Sequence, residues 1–196
     1  MRLSCLSLLL AAAWLLSIAS TTQAEDAVLH ATVKLATPKK EGDKRSKPPY
    51  DETQIHLWVP GDVQVLRGAV FNPFYADAVG QEHWQEAGRL WGFGILAGDF
   101  FGVRGEEFGD ILARGLENMA AENKRPEIAN LVICPVGMSA GAGMSTRFAE
   151  QLPGRTVAVG PVCLEVGPRD DASRLFPTIT IFGERDGAQM EKLAAK

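Results

Sequence analysis

Histidine and cysteine are scarce in this sequence, with three of each among 196 residues. No two cysteines form a C-x-x-C pair and no two histidines form an H-x-x-x-H pair, which are common spacings of zinc ligands. The sequence therefore gives no reason to expect a metal ion or another cofactor.

An excess of basic residues is also missing. Lys and Arg number 20 against 24 Asp and Glu, for a formal net charge of -4. Proteins that bind nucleic acid present basic surface to the phosphate backbone. Nucleic acid is therefore not an expected partner.

Long uncharged apolar runs are confined to the N-terminus. Residues 3–18 are mostly apolar, follow Met1-Arg2, and precede small and polar residues up to Ala24. This pattern is typical of a signal peptide cleaved after Ala24, and the run is short for a membrane span. We expect residues 1–24 to be removed, leaving a secreted or periplasmic protein with no stable membrane anchor.

Two cysteines remain after such a cleavage, because Cys5 lies in the signal peptide. Cys134 and Cys163 could pair in an exported protein. Cys134 stands within a predicted buried strand and Cys163 just beyond the next one. These positions favour two small, buried side chains that remain free.

The mature chain divides into a lead-in, residues 25–52, and a domain, residues 53–196. The lead-in contains a partly alternating stretch at residues 27–35, which predicts an edge strand, and a basic segment with prolines, residues 37–49, which is predicted to be an exposed linker. The domain alternates between predicted strands at 53–59, 67–73, 92–98, 128–136, 156–162 and 177–183 and predicted helices at 81–91, 106–123 and 139–151. This alternation predicts the α/β class: a doubly wound, mostly parallel sheet with helices on both faces, and ligands at the carboxyl ends of the strands.

One turn in this domain carries a chemical signature. A short apolar run leads into Gly137-x-Ser139-x-Gly141, and a predicted helix follows. This is the layout of a nucleophile elbow, in which the serine is held in a strained turn and the glycines avoid collisions with neighbouring backbone. The alternative is that Ser139 only caps the helix.

A second signature follows the last predicted strand, at residues 183–187 with the sequence GERDG. Together with the elbow, it makes residues 53–196 resemble the α/β-hydrolase superfamily of serine esterases and lipases. The resemblance implies that Ser139 is the nucleophile and that Asp186 is the acid that orients a histidine. Glu184 and Glu165 are rival acids, and Asp186 could instead be a turn residue.

The resemblance also implies an oxyanion hole with two backbone donors. One is the N–H group of Ala140, the residue after the nucleophile. The other comes from the loop after the strand at residues 67–73, where Pro73 has no N–H group. We therefore expect the backbone of Phe74 or Tyr75 to donate.

Aromatic residues cluster after two predicted strands, at the edge where a substrate is expected. Tyr75, Phe100 and Phe101, with Phe74, would form an apolar or stacking pocket for part of an ester. The alternative is that these side chains pack in the core and anchor the loops.

The triad histidine is the missing part. In this family it follows the acid, but His30, His56 and His83 all precede Asp186. Either the chain is C-terminally incomplete, which we expect, or it has lost catalysis, or a displaced histidine such as His83 serves. The sequence thus predicts an exported serine hydrolase that cleaves small-molecule or polymer esters through an acyl-enzyme on Ser139. The alternative is a non-catalytic binding protein with the same fold.

Overall fold

The computed structural model describes residues 24–42, 44–163 and 177–181. Most of the predicted signal peptide lies outside these residues. The three acidic candidates Glu165, Glu184 and Asp186 also lie outside them.

Six strands form one mixed sheet, in the order β1-β2-β4-β3-β5-β6. The strands are β1 (Ala27–Lys34), β2 (Glu52–Val59), β3 (Ala69–Asn72), β4 (Gly94–Gly98), β5 (Ile133–Met138) and β6 (Gly160–Val162). The first two pairings, β1 with β2 and β2 with β4, are antiparallel. The other three are parallel, so the prediction of a mostly parallel α/β sheet is confirmed.

Helices cover both faces of this sheet. Helix α1 (Glu82–Trp91) lies on one face, and helices α2 (Phe108–Asn123) and α3 (Ala140–Gln151) lie on the other. Side chains alternate along the strands because successive residues point to opposite faces. One face of the sheet buries Leu57, Phe71 and Leu96 against α2 and α3, and the other buries Trp58 and Ile95.

Strands β3 to β6 are all shorter than predicted, and the starts of β5 and β6 differ most from the prediction. A 3₁₀ helix, Pro126–Asn130, precedes β5, so this strand begins at Ile133. The prediction for residues 156–162 is reduced to β6, with isolated bridges from Thr156 to Ile133 and from Val159 to Thr178. Beyond β6, residues 177–181 run parallel to it, and Cys163 N–H donates to the carbonyl of Ile181 at 2.8 Å.

The lead-in is part of the fold. Strand β1 pairs along its whole length with β2 and forms an edge of the sheet, as its alternating pattern predicts. The prediction that residues 37–49 form an exposed linker is wrong at two positions, because Lys39 is 3% exposed and Ser46 is 6% exposed. We call residues 37–42 and 44–49 the basic segment; it folds back towards the carboxyl end of β4.

Residues 24–42, 44–163 and 177–181 contain no helix that is long and apolar enough to cross a membrane. In the same part of the chain, no group of three or more His, Cys, Asp or Glu side chains is arranged to hold a metal ion.

Candidate active site

Ser139 occupies the turn between β5 and α3 in a strained backbone conformation. Its φ and ψ angles are 53° and -117°, a region that residues other than glycine rarely adopt. Such a conformation costs about 1–3 kcal/mol and persists only where the surrounding structure imposes it. Here Ser139 N–H donates to the carbonyl of Val162 in β6 at 2.9 Å, which fixes the turn against the neighbouring strand.

The hydroxyl group of Ser139 does not cap the helix. Its side chain makes no capping hydrogen bond to α3, and the residue is exposed. The interpretation of Ser139 as a simple N-cap therefore does not fit the structure. The strained turn presents the side chain to solvent at the start of a helix, where the N–H groups of the first turn have no intrahelical partner.

Gly137 is required for this turn. A Cβ atom on Gly137 would overlap the backbone carbonyl group of Gly141 in the first turn of α3 and lie 2.8 Å from Ser145 Oγ. A Cβ atom on Gly141 would lie 3.2 Å from the Cβ atom of Phe74, which is a tight contact with the loop after β3. Both glycines of the motif thus allow close packing around Ser139, as the elbow predicts.

A cleft of about 560 Å³ opens over Ser139 at the carboxyl ends of the strands. One side is aromatic and is lined by Phe74, Tyr75 and Phe101. These rings contact each other edge to face, with centroids 4.8 Å apart for Phe74 and Tyr75 and 5.6 Å apart for Phe74 and Phe101. The other side is polar and is lined by Lys44, Arg45, Lys47, Asp77 and Asp99.

The substrate contact predicted for Phe100 is wrong. This side chain is fully buried and packs against Phe71, Phe108 and Phe148 on the face of the sheet that α2 and α3 cover. Its neighbour Phe101 points into the cleft instead. Two adjacent phenylalanines after β4 therefore divide between core and cleft, at a turn in which Val103 N–H donates to the carbonyl of Phe100 at 3.2 Å.

The two predicted oxyanion donors differ in their surroundings. Ala140 lines the cleft and is the first residue of α3, where a backbone N–H group has no intrahelical partner. Phe74 N–H, the second predicted donor, already donates to Asn72 Oδ1 at 3.0 Å. Tyr75 N–H donates to the same oxygen at 3.0 Å. Neither of these groups is free for an oxyanion in this conformation.

Asn72 is a site residue that sequence reasoning missed. By accepting from two successive N–H groups, its side chain fixes the loop that carries Phe74 and Tyr75. The signal was present, because Asn followed by Pro is a frequent start of a turn. The turn explains how the aromatic side of the cleft is held in place.

None of the three histidines lines the cleft. His30 and His56 face each other across β1 and β2, with their Nδ1 atoms 2.6 Å apart. Burial lowers the pKa of His56, and a positive charge on His30 lowers it further. His83 is exposed on α1, where its ring contacts Trp84. The structure therefore does not bring a histidine to Ser139.

A buried ion pair borders the cleft. The ammonium group of Lys39 donates to the backbone carbonyl of Asp99 at 2.9 Å and lies 3.4 Å from the Asp99 carboxylate. Thr53 Oγ1 also donates to that carbonyl. Burial lowers the pKa of Lys39, and the carboxylate of Asp99 partly offsets this by raising it. Asp99 is thus held as the partner of Lys39 and is not an unpaired acid in the cleft.

Neither Cys134 nor Cys163 lines the cleft. Cys134 and Cys163 are both free, as their positions in the sequence favour, but they are half-buried and not buried as predicted. Burial raises the pKa of the Cys134 thiol. This residue is therefore poorly suited to act as a nucleophile, since the thiolate is the reactive form.

Comparisons with known proteins show likeness at the level of structure. No protein-family model matches the sequence, and no curated protein matches it. Among solved structures, the chain is similar to an α/β serine hydrolase without a lid from Xanthomonas campestris. The sequences are 19% identical, the match covers 86% of this chain and 78% of that one, and the TM-score is 0.46.

Two other solved structures are also similar to this chain. A bacterial heroin esterase is 14% identical, with 82% of this chain and 51% of that chain covered and a TM-score of 0.46. This chain thus spans about half the length of the esterase. S-formylglutathione hydrolase from Staphylococcus aureus is 8% identical, with coverages of 87% and 85% and a TM-score of 0.45. These three proteins are a serine hydrolase, an esterase and an S-formylglutathione hydrolase by name.

Proposed function

We propose that this chain is an exported serine hydrolase that cleaves carboxylic esters through an acyl-enzyme on Ser139. The observation that carries the proposal is the conformation of Ser139: a strained, exposed and uncapped serine that lines a cleft. A strained turn at a serine lowers the stability of the fold, whereas it makes a nucleophilic serine accessible to the substrate.

The reaction proceeds in two steps. Ser139 Oγ bonds to the ester carbonyl carbon, the bond from that carbon to the alcohol oxygen breaks, and the alcohol leaves with a proton. Water then attacks the acyl-enzyme and releases the acid and the serine hydroxyl. The backbone N–H of Ala140 stabilises the negative oxygen that forms in each step.

In the described residues, no histidine lies at Ser139 to accept the serine proton as a base. The resemblance assigns the orienting acid to Asp186, which lies outside them. The three histidines lie elsewhere in the fold. This observation favours a second candidate, a protein with the same fold that binds esters or acids in the cleft without turning them over.

A serine-directed fluorophosphonate probe separates these candidates. The enzyme is expected to be labelled at Ser139, with loss of labelling in Ser139→Ala and retention in Ser145→Ala. Ser145 is the matched control because it is a fully buried serine of α3, the helix that follows Ser139, and its hydroxyl group donates to the carbonyl of Gly141. An unlabelled, folded protein contradicts the enzymatic proposal, because a serine without a base is barely nucleophilic.

The location of the protein is part of the proposal. A positive N-terminus, an apolar run and small residues up to Ala24 support export, and N-terminal sequencing of the secreted or periplasmic protein should begin at Glu25. The partners are small-molecule or polymer esters. A mature chain that still begins at Met1 and sediments with membranes would contradict the proposed cleavage and export.

A further inference from the structure

Cations outnumber carboxylates in the cleft, although the chain as a whole carries a net charge of -4. Lys44, Arg45 and Lys47 line it together with Ser139. Asp99 is compensated by Lys39, which leaves Asp77 as the remaining carboxylate among the residues described around the cleft. The cleft is thus a local region of positive potential on an acidic protein.

The fold itself places these cations over Ser139. The basic segment is tied at Lys39, whose N–H donates to the carbonyl of Tyr50 at 2.5 Å and whose ammonium group donates to the carbonyl of Asp99. Ser46 is buried against Gly102, where a side chain would overlap the serine hydroxyl. Lys44 and Arg45, which lie between these anchors, are therefore held where they line the cleft.

Two of the three cations, Lys44 and Lys47, are available to bind an anionic ligand. Within the described parts of the chain, neither Lys44 nor Lys47 forms an ion pair, and both are exposed. The guanidinium group of Arg45 lies over the ring of Phe101, 5.2 Å from its centroid, which joins the basic and aromatic sides of the cleft. An ammonium group beside a concave site attracts a carboxylate by charge and by hydrogen bonding.

We propose that the cleft selects ligands that combine an apolar or aromatic portion with a carboxylate, and that the substrate of Ser139 is an ester bearing such a carboxylate. The aromatic side contacts the apolar portion, and Lys44 and Lys47 bind the carboxylate. The statement about the substrate rests on the proposed function, whereas the statement about binding concerns the cleft alone.

Kinetics with two matched esters test the substrate. Mono-4-nitrophenyl adipate carries a remote carboxylate, and 4-nitrophenyl hexanoate has the same acyl length without one. We expect the adipate to have the higher kcat/KM, with an advantage that falls as salt is added. The variant Lys44→Gln/Lys47→Gln should lower the ratio of the two kcat/KM values about fivefold, as expected for two partly exposed charge pairs.

Lys40→Gln is the control, because Lys40 is an exposed lysine of the same segment that does not line the cleft. The ratio in this variant should equal that of the parent protein. Equal kcat/KM values for the two esters in the parent protein, or the same loss in Lys40→Gln as in the double variant, would overturn the inference.

Equilibrium binding tests the cleft without catalysis. The amide analogues, adipic acid monoanilide and hexananilide, are titrated into the parent protein and the double variant. The parent should bind the anionic amide more tightly, and the double variant should lose about fivefold of that preference. Equal binding of the two amides overturns the inference.

Labelling of Ser139 by a fluorophosphonate keeps the two proposals apart. Labelling without selectivity for the carboxylate supports the proposed function and overturns the inference. Selective binding without labelling or turnover refutes the proposed function and supports the selectivity of the cleft.

Discussion

The Cβ atom of Phe74 lies 3.2 Å from the position that a Cβ atom on Gly141 would take. Phe74 belongs to the loop after β3, and Gly141 lies in the first turn of α3. The contact joins the aromatic side of the cleft to the turn that holds Ser139. The second glycine of the motif therefore shapes the cleft as well as the turn.

The two glycines of the motif should respond differently to alanine. In Gly137→Ala the new methyl group meets the backbone of α3, which cannot move without unwinding the start of the helix, whereas in Gly141→Ala it meets Phe74. We expect Gly137→Ala to lower the free energy of unfolding by about 3 kcal/mol and Gly141→Ala by about 1 kcal/mol. Urea denaturation measures both. Gly154→Ala, where the methyl group meets open space, is the control, and equal losses at all three positions would contradict the geometry.

Removing the ammonium group of Lys39 should destabilise the fold. Lys39→Met leaves the Asp99 carboxylate, whose side chain is 15% exposed, without its partner. A loss of about 3 kcal/mol in the free energy of unfolding is expected, as for other broken buried pairs. Lys39→Met/Asp99→Asn should recover part of that loss, and Lys40→Met, at an exposed position, should change little. A Lys39→Met protein as stable as the parent would show that the pair does not anchor the basic segment.

The histidine pair should make stability depend on pH. The pKa of His56 is lowered in the folded protein, first by burial and then by the charge of His30. The unfolded chain therefore binds a proton more readily, and stability should decline as the pH falls below the ordinary histidine value of 6.5. Denaturation curves between pH 8 and pH 5 should show this decline in the parent and a weaker decline in His56→Gln. His83→Gln, at an exposed site, should keep the decline of the parent.

Phe100 should contribute mainly to the stability of the fold, and Tyr75 mainly to ligand binding. Phe100 is fully buried among three other phenylalanines, so Phe100→Ala is expected to lower the free energy of unfolding by about 4 kcal/mol. Tyr75 is 43% exposed beside the cleft, so Tyr75→Ala should cost less than about 1 kcal/mol while weakening the binding of aryl ligands. Thermal or urea denaturation measures the first effect, and titration with hexananilide measures the second. Similar stability losses at both positions would contradict the assignment of Phe100 to the core.

The elements themselves follow from local patterns in the sequence. The alternation in β1, the helical spacing in α2, and the strand, glycine turn and helix around Ser139 each depend on residues that are close in the chain. Backbone geometry links such patterns directly to structure, because side chains repeat every two residues in a strand and every 3.6 in a helix. The order of these elements was enough to predict a mostly parallel α/β sheet with helices on both faces.

Helix α1 shows where a local pattern misleads. The spacing of Leu90 and Trp91 from Trp84 and Ala87 predicts one apolar helix face, yet Leu90 and Trp91 are 75% and 64% exposed. The helix instead approaches the sheet through Gly88, against the ring of Trp58. The distance of a helix from a sheet depends on which residue is small enough to allow contact, and periodicity alone does not give it.

The sequence by itself determined the fold class, the extent of the three helices and of β1 and β2, and the turn that carries Ser139. The tertiary structure alone decided that Lys39 is buried beside Asp99, 60 residues away, and that Phe100 enters the core while Phe101 faces the cleft. It also decided that His56 faces His30 and not Ser139. These facts depend on which distant surfaces meet when the sheet and its loops close, whereas the turn at Ser139 depends on the conformations available to a few adjacent residues.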